Sequence, residues 1–173
     1  MSEACVENLL KRRSVRVFRS EEVPLESLLR AIDVARYAPS AGNRQPWRFV
    51  IIRDLRKLRE FTEKLPHARP LATARVAVMI LANVEESPTS YMVDASLAAM
   101  YFWLALHCVG LGAVWIQTLR NVEEFREFVK APNNYIPVAL FAIGWPAEQP
   151  EPRRRKDLKE ITYMEKYGVP LSE

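Results

Sequence analysis

The chain has 173 residues, 49% hydrophobic and 27% charged, which suits one globular domain whose core needs no disulfide or metal staple. A net charge of +4 fits an anionic ligand or a weak attraction to nucleic acid, while 21 acidic residues and the absence of a recognition motif speak against a nucleic-acid-binding module. The two cysteines, Cys5 and Cys108, form no metal-type spacing and read as reduced thiols of a cytosolic protein, and the first five residues carry no basic-then-apolar leader pattern.

Val6, Leu9 and Leu10 follow helical spacing and predict a first helix from about Glu3 to Arg13. It ends in a basic burst of Lys11, Arg12 and Arg13, followed by Ser14, Val15 and Arg16 and later by Arg19. Val15 to Phe18 alternates like an extended segment, which sets Arg12, Ser14 and Arg16 on one side. Arginines arranged in this way grip a phosphate through paired charge-assisted bonds. Cations at a helix C-terminus also simply suit its dipole.

Pro24 fits a helix start, and Leu25, Leu28, Leu29 and Ile32 form an apolar stripe. That helix should stop near Ala38, because Pro39 pushes the residue before it out of helical conformation. In the loop that follows, Gly42 frees the backbone to turn, and Ser40, Asn43 and Gln45 offer several donors and acceptors. Trp47 adds a large flat apolar surface. Such a loop suits a flat, polar-edged ligand, or serves as a helix-to-strand connection whose polar residues cap turns.

Phe49 to Ile52 predicts a buried strand, and Asp54 caps a helix whose Leu55, Leu58, Phe61 and Leu65 share a face. Pro66 to Pro70 reads as a loop carrying His67, one of two histidines, and Arg75 to Ala82 as a second buried strand. Residues 95–119 contain no Asp, Glu, Lys or Arg, which makes the stretch a transmembrane candidate. Asp94, His107, Gly110 and Gly112 argue against a span, as does the absence of a second one or of basic asymmetry in the flanks. The expectation is a helix from Tyr91 to Val109 buried nearly all round, then a strand over Ala113 to Ile116.

Asn121 to Glu124 matches a capping box opening a helix to Val129, with Phe125 and Val129 inward. Ile136 to Ile143 predicts another buried strand, closed by Gly144, Trp145 and Pro146. Glu148 to Pro152 is a proline-punctuated linker, followed by the basic run Arg153 to Lys156. Leu158, Ile161, Tyr163 and Tyr167 then set apolar surface among charges, and a tail of this kind needs a docking partner such as another subunit.

No Gly-rich phosphate loop of the GxGxxG or GxxxxGK[ST] type is present, and the elements lack a strict β-α-β rhythm. What is present is an ordered set: Arg12 to Arg16, Ala38 to Trp47, Gly110 to Ile116, Pro137 to Pro146, and the basic run at Arg153. Over almost the whole chain this set resembles the nitroreductase family of FMN-dependent oxidoreductases. The first two motifs carry most of the likeness. The resemblance implies one α+β domain over 1–173, with a mixed or antiparallel central sheet flanked by helices in three layers. It implies an intertwined homodimer, with the extension 148–173 docking on the partner, and two FMN sites built from both chains.

Carried over by position, Arg12, Arg13, Ser14 and Arg16 would meet the phosphate, ribityl chain and pyrimidine edge of FMN. Pro39, Ser40, Ala41 and Asn43, with Gln45 beside them, would reach the flavin from the other subunit. Trp115, Ile116, Gln117 and Thr118 would lie along the isoalloxazine, Arg153 and Arg155 would return to the phosphate, and His67 falls loosely toward the pyrimidine edge. A cation at Arg16 would favour the reduced flavin, whose charge gathers near N1. No metal and no protein nucleophile are implied.

The implied reaction moves hydride from NADH or NADPH through FMN to a nitroaromatic, quinone or similar small acceptor, with one site serving both in turn and hence ping-pong kinetics. The short loop Val84 to Ser90 stands where larger members carry a helical lid, which implies an open site. The alternatives are a dimeric flavin-binding sensor or carrier without reductase activity, and a relative performing reductive dehalogenation or flavin fragmentation. A cytoplasmic homodimer with no nucleic-acid or membrane partner completes the expectation.

Overall fold

Four apolar runs pair into one sheet in the computed structural model, which describes residues 3–170. The strands are β1 (Trp47–Ile52), β2 (Val76–Asn83), β3 (Gly112–Gln117) and β4 (Tyr135–Gly144), in the order β1-β2-β4-β3 and antiparallel throughout. Every residue of β2 is buried, as is β4 beyond its first two residues, which explains why these segments read as continuous apolar runs rather than alternating ones. Along β2, Val76, Val78, Ile80 and Ala82 face one core, and Ala77, Met79 and Leu81 face the other.

Helices cover both faces and complete an α+β arrangement of three layers. Helices α2 (Leu25–Ala35) and α4 (Tyr91–Cys108) bring Leu28, Phe102 and Leu106 to the first core. Helices α3 (Leu55–Lys64) and α5 (Val122–Val129) bring Leu58, Phe61 and Phe125 to the second. Asp54 caps α3 as expected, its carboxylate accepting from the amides of Arg56 and Lys57.

Several boundaries differ from expectation. Helix α1 (Glu3–Lys11) stops two residues early, which releases Arg12 and Arg13 into extended backbone. Helix α2 ends at Ala35 rather than Ala38; it buries Leu28, Ala31 and Ala35 but leaves Leu25 and Leu29 exposed. The supposed loop after Leu65 is a 3₁₀ helix over Pro66–Ala72, anchored by buried Ala68 and Leu71. Helix α4 is not buried all round: Val93 is 61% exposed, and Leu97, Met100 and Tyr101 share its open face. Among the described residues no helix is long and apolar enough to cross a membrane. The capping box at α5 is incomplete, because the Asn121 amide bonds the Glu124 carboxylate (3.0 Å) instead of a backbone N–H. Among the described residues past β4 only the one-turn α6 (Leu158–Ile161) is helical, and the tail exposes Leu158 (72%) and Tyr167 (91%).

The chain from Ser14 to Phe18 is stitched across the open end of the sheet. Ser14 bridges Ala113 and Phe18 bridges Pro146. Val15 N donates to Ala113 O (3.1 Å), Arg19 N to Trp145 O (2.9 Å) and Ala147 N to Val17 O (3.0 Å). Beneath this segment lie Gly112 and Gly144, register partners in β3 and β4. A Cβ on Gly112 would sit 2.9 Å from Val15 Cγ1, and one on Gly144 would sit 2.8 Å from Phe18 Cβ. Phe18 Cβ is fixed to the backbone and cannot swing aside. Gly144→Ala should therefore lift the crossing segment and cost about 1–3 kcal/mol. Calorimetry should show an unfolding midpoint lower by roughly 3–10 °C; an unchanged midpoint would mean that the crossing needs no glycine notch.

Candidate functional site

One carbonyl organises the basic end of the molecule. Ala113 O accepts both from Val15 N (3.1 Å) and from Trp103 Nε1 (3.2 Å), which fixes the extended segment and the indole side by side. Arg12 then lies over the Trp103 ring, 4.0 Å from its centroid, a cation–π contact in a partly desolvated place. Its Nη1 is buried and has no hydrogen-bond partner. Arg13 is engaged differently, with Nη1 donating to Leu10 O (2.6 Å) and Arg12 O (2.9 Å), and Arg16 Nη1 donates to Ser14 O (3.2 Å).

Glu148 draws in the far end of the chain. Its Oε1 accepts from Arg16 N (2.5 Å) and Val17 N (3.1 Å), which leads the linker back over the extended segment. Arg12, Arg13, Ser14, Arg16, Arg153 and Arg155 consequently line one open cleft of about 440 Å³, whose only acidic wall residue is Glu151. Among the described residues none of these arginines belongs to an ion pair. Burial, together with repulsion from Arg13 and Arg155, holds the Arg12 guanidinium below its ordinary pKa. An anion in the cleft would relieve that repulsion and supply the missing acceptor. A second cleft of about 880 Å³ shares Arg12 and Arg13 and is also lined by Trp103, His107 and the backbone around Gly110–Gly112.

The strand residues connect to this cleft through aromatic rings. Trp115 packs on Trp103 (6.5 Å between centroids) and on Phe141 (5.5 Å), so Arg12, Trp103 and Trp115 form a continuous run. Ile116 is buried in the second core. Gln117 Oε1 accepts from Thr118 N (2.9 Å) and Leu119 N (3.1 Å). The fully buried Thr118 donates its hydroxyl to Pro137 O (2.6 Å), so that hydroxyl serves the strand rather than a ligand.

The loop after α2 stands apart. None of Pro39, Ser40, Ala41, Asn43 or Gln45 lines either cleft of the same chain. Positive φ values at Gly42 (58°), Asn43 (55°) and Gln45 (50°) give the loop its tight shape, unusual for glutamine. Ser40 Oγ accepts from Gln45 N (3.0 Å), and Gln45 Nε2 donates to Asn43 Oδ1 (3.1 Å). The anchor is Asp94, 2% exposed in the first turn of α4. It accepts from Ala41 N (3.0 Å) through one oxygen and from Ser87 Oγ (2.8 Å) through the other. The short loop 84–90 is itself bonded down, with Glu86 paired to Arg48 (2.5 Å) and Glu85 accepting from Asn134 (3.1 Å). His67 sits edge-on to Phe125 (5.9 Å) and lines neither cleft.

Sequence reasoning missed Trp103, His107, Glu148 and the anchoring role of Asp94. Trp103 and His107 carry a faint signal, since their i, i+4 spacing puts two polar-capable rings on one helix face.

A sequence profile described as the nitroreductase family matches residues 9–68 and 63–145. A protein of Methanothermobacter thermautotrophicus, provisionally named NADH dehydrogenase/NAD(P)H nitroreductase, is 33% identical over 167 residues, which span 94% of this chain and 87% of that one. A crystal structure from Bacteroides thetaiotaomicron with the same provisional name matches at a TM-score of 0.88 and 31% identity, over 94% of this chain and 98% of that one. An FMN-dependent nitroreductase from Clostridium difficile matches at a TM-score of 0.83 and 30% identity, over 91% and 98% respectively.

Asp94→Ala should leave the Ala41 amide and the Ser87 hydroxyl without their buried acceptor, costing roughly 2 kcal/mol. Amide exchange should accelerate at Ala41 and its neighbours more than in β2. Uniform acceleration across the chain would count against a local anchoring role.

Proposed function

This chain belongs to the nitroreductase family of oxidoreductases, and from that premise we propose that it holds FMN and transfers hydride from NADH or NADPH to a small nitroaromatic, quinone or similar acceptor. The observation that carries this reading is the arginine cleft, which both ends of the chain build and whose Arg12 holds a buried guanidinium N–H without a partner. The donor set fits a phosphate dianion. Charge-assisted hydrogen bonds contribute about 1.5–3 kcal/mol each, so a few of them retain a cofactor without a covalent link.

In this reading Arg12, Arg13, Arg153 and Arg155 hold the phosphate, and Ser14 meets the ribityl chain. Arg16 sets a cation near the pyrimidine edge, which favours the more negative reduced form. Trp115, Ile116, Gln117 and Thr118 form the wall along the ring system, Ile116 and Thr118 mainly through backbone. Bound there, FMN would supply the redox chemistry, accepting hydride from the nicotinamide and passing the electrons on. The chain's own work is to bind, orient and exclude water, so it needs no acid–base dyad. One site used in turn by donor and acceptor gives ping-pong kinetics. The bonded-down loop 84–90 leaves that site without a lid from this segment.

The second copy enters through apolar surface. Val6, Leu9 and Leu10 of α1, the open face of α4, and Leu158, Ile161 and Tyr167 are all exposed in one protomer. A homodimer would cover them, with residues 148–173 of the single domain 1–173 docking on the partner. It would also let Pro39, Ser40, Ala41, Asn43 and Gln45 serve the neighbour's flavin, in keeping with their absence from the clefts of their own chain. Two free, exposed cysteines suit a reducing cytoplasm.

The test is the visible spectrum of purified, undialysed protein, repeated after anaerobic NADH and then NADPH. A flavin spectrum that bleaches is expected, and Arg12→Ala should weaken FMN binding by about 10–100-fold. No flavin after incubation with excess FMN would defeat the reading; a bound flavin that neither nicotinamide bleaches would leave a carrier or sensor. Removing residues 148–173 should shift the sedimentation mass toward the monomer. A truncated protein that stays dimeric and loaded with flavin would rule out the docking tail.

A further inference from the structure

Two buried polar atoms on the wall of the larger cleft lack a partner, Arg12 Nη1 and His107 Nε2. The backbone of Asn8 lies beside the His107 ring and favours its charged form. Protonated, the ring carries an N–H donor at Nε2, the atom that lacks a partner.

The surroundings are cationic. Lys11, Arg12 and Arg13 approach from α1 and its exit. The return segment offers Glu148 and Glu151, and on α4 the adjacent ionisable group is Cys108. Glu148 Oε1 is already shared between the amides of Arg16 and Val17, and Lys11 is paired with Glu7 (3.2 Å). What the cleft lacks is an acceptor that both Arg12 and the ring can reach.

We propose that Arg12 and His107 form one anion pocket that takes up a phosphate or carboxylate together with a proton. The flavin reading bears only on the source of that anion, since a cofactor phosphate and a separate anionic ligand share the chemistry. Burial, and then repulsion from Arg12 and Arg13, holds His107 below the ordinary histidine range against the opposing bond to Asn8. The empty pocket is therefore neutral at His107. An anion reverses the balance, aided by the C-terminal end of α4, where a cation is favoured. By linkage, anion affinity rises as pH falls through the titration of the occupied pocket and is lost above it.

The chain has two histidines, and His67, outside both clefts, is an internal control. Ring resonances of flavin-free protein are titrated by NMR, alone and with inorganic phosphate, FMN or riboflavin, and His107→Gln assigns the signals. Phosphate should raise the proton affinity of His107 about tenfold, leave His67 unmoved, and lose this effect in Arg12→Met. Riboflavin, which has no phosphate, should produce no such rise. A rise with FMN identifies the anion as the cofactor's own phosphate, whereas a rise with inorganic phosphate alone assigns the pocket to a separate ligand; both uphold it. A His107 titration that neither phosphate nor FMN moves overturns the proposal, even in a protein that holds flavin. A phosphate-driven rise in a protein that binds no flavin upholds the pocket and defeats the flavin reading instead.

Discussion

Two missing β-carbons set the geometry of the basic end. Gly112 and Gly144 face each other across the last strand pair, and only without side chains do they admit the side chains of Val15 and Phe18 at contact distance. Once that segment is seated, Ala113 O can bind both its amide and the Trp103 indole, and Arg12 has a ring to lie on. Glu148 then finds two free amides and brings the C-terminal arginines back to the same place. The cleft is thus an outcome of close packing on the sheet, not of any local loop motif.

That packing gathers like charges and leaves a buried donor idle, which in an ordinary core would be a defect. Among the described residues, His107 Nε2 shares this condition at the same end, and Arg75 Nε does so outside both clefts. Elsewhere the sheet is sealed by two apolar cores, and the central strands carry no unpaired polar side chain inside them. A corner whose cationic groups are already assembled and electrostatically unsatisfied suits an anion.

Strands were legible in the sequence wherever burial on both faces produced unbroken apolar runs, as in β2 and β4. Helix α4 misled for the opposite reason, because Val93, Leu97 and Met100 look the same in sequence whether a chain buries them or leaves them for something else to cover. Two prolines in Pro66–Ala72 read as loop, although a 3₁₀ helix tolerates them where its donors are not needed. At the site, the arginines were visible as a local cluster. The Glu148 contact was not, since a carboxylate meeting two backbone amides across most of the chain leaves no pattern in composition or spacing. His107 was hidden in a helix that composition marked as core.

Asp94 joins two loops that sequence alone would treat as separate. One carboxylate oxygen holds Ala41 and the other holds Ser87, so the segment of 84–90 and the turn at 39–45 hang from a single side chain. Lengthening the first loop would have to remake the hydrogen bond that shapes the second. In a lineage that gained an insertion at Ser87, the turn at 39–45 would have had to change at the same time or find a new anchor. The compactness of one loop and the conformation of the other are therefore a single inherited character, open to selection only as a pair.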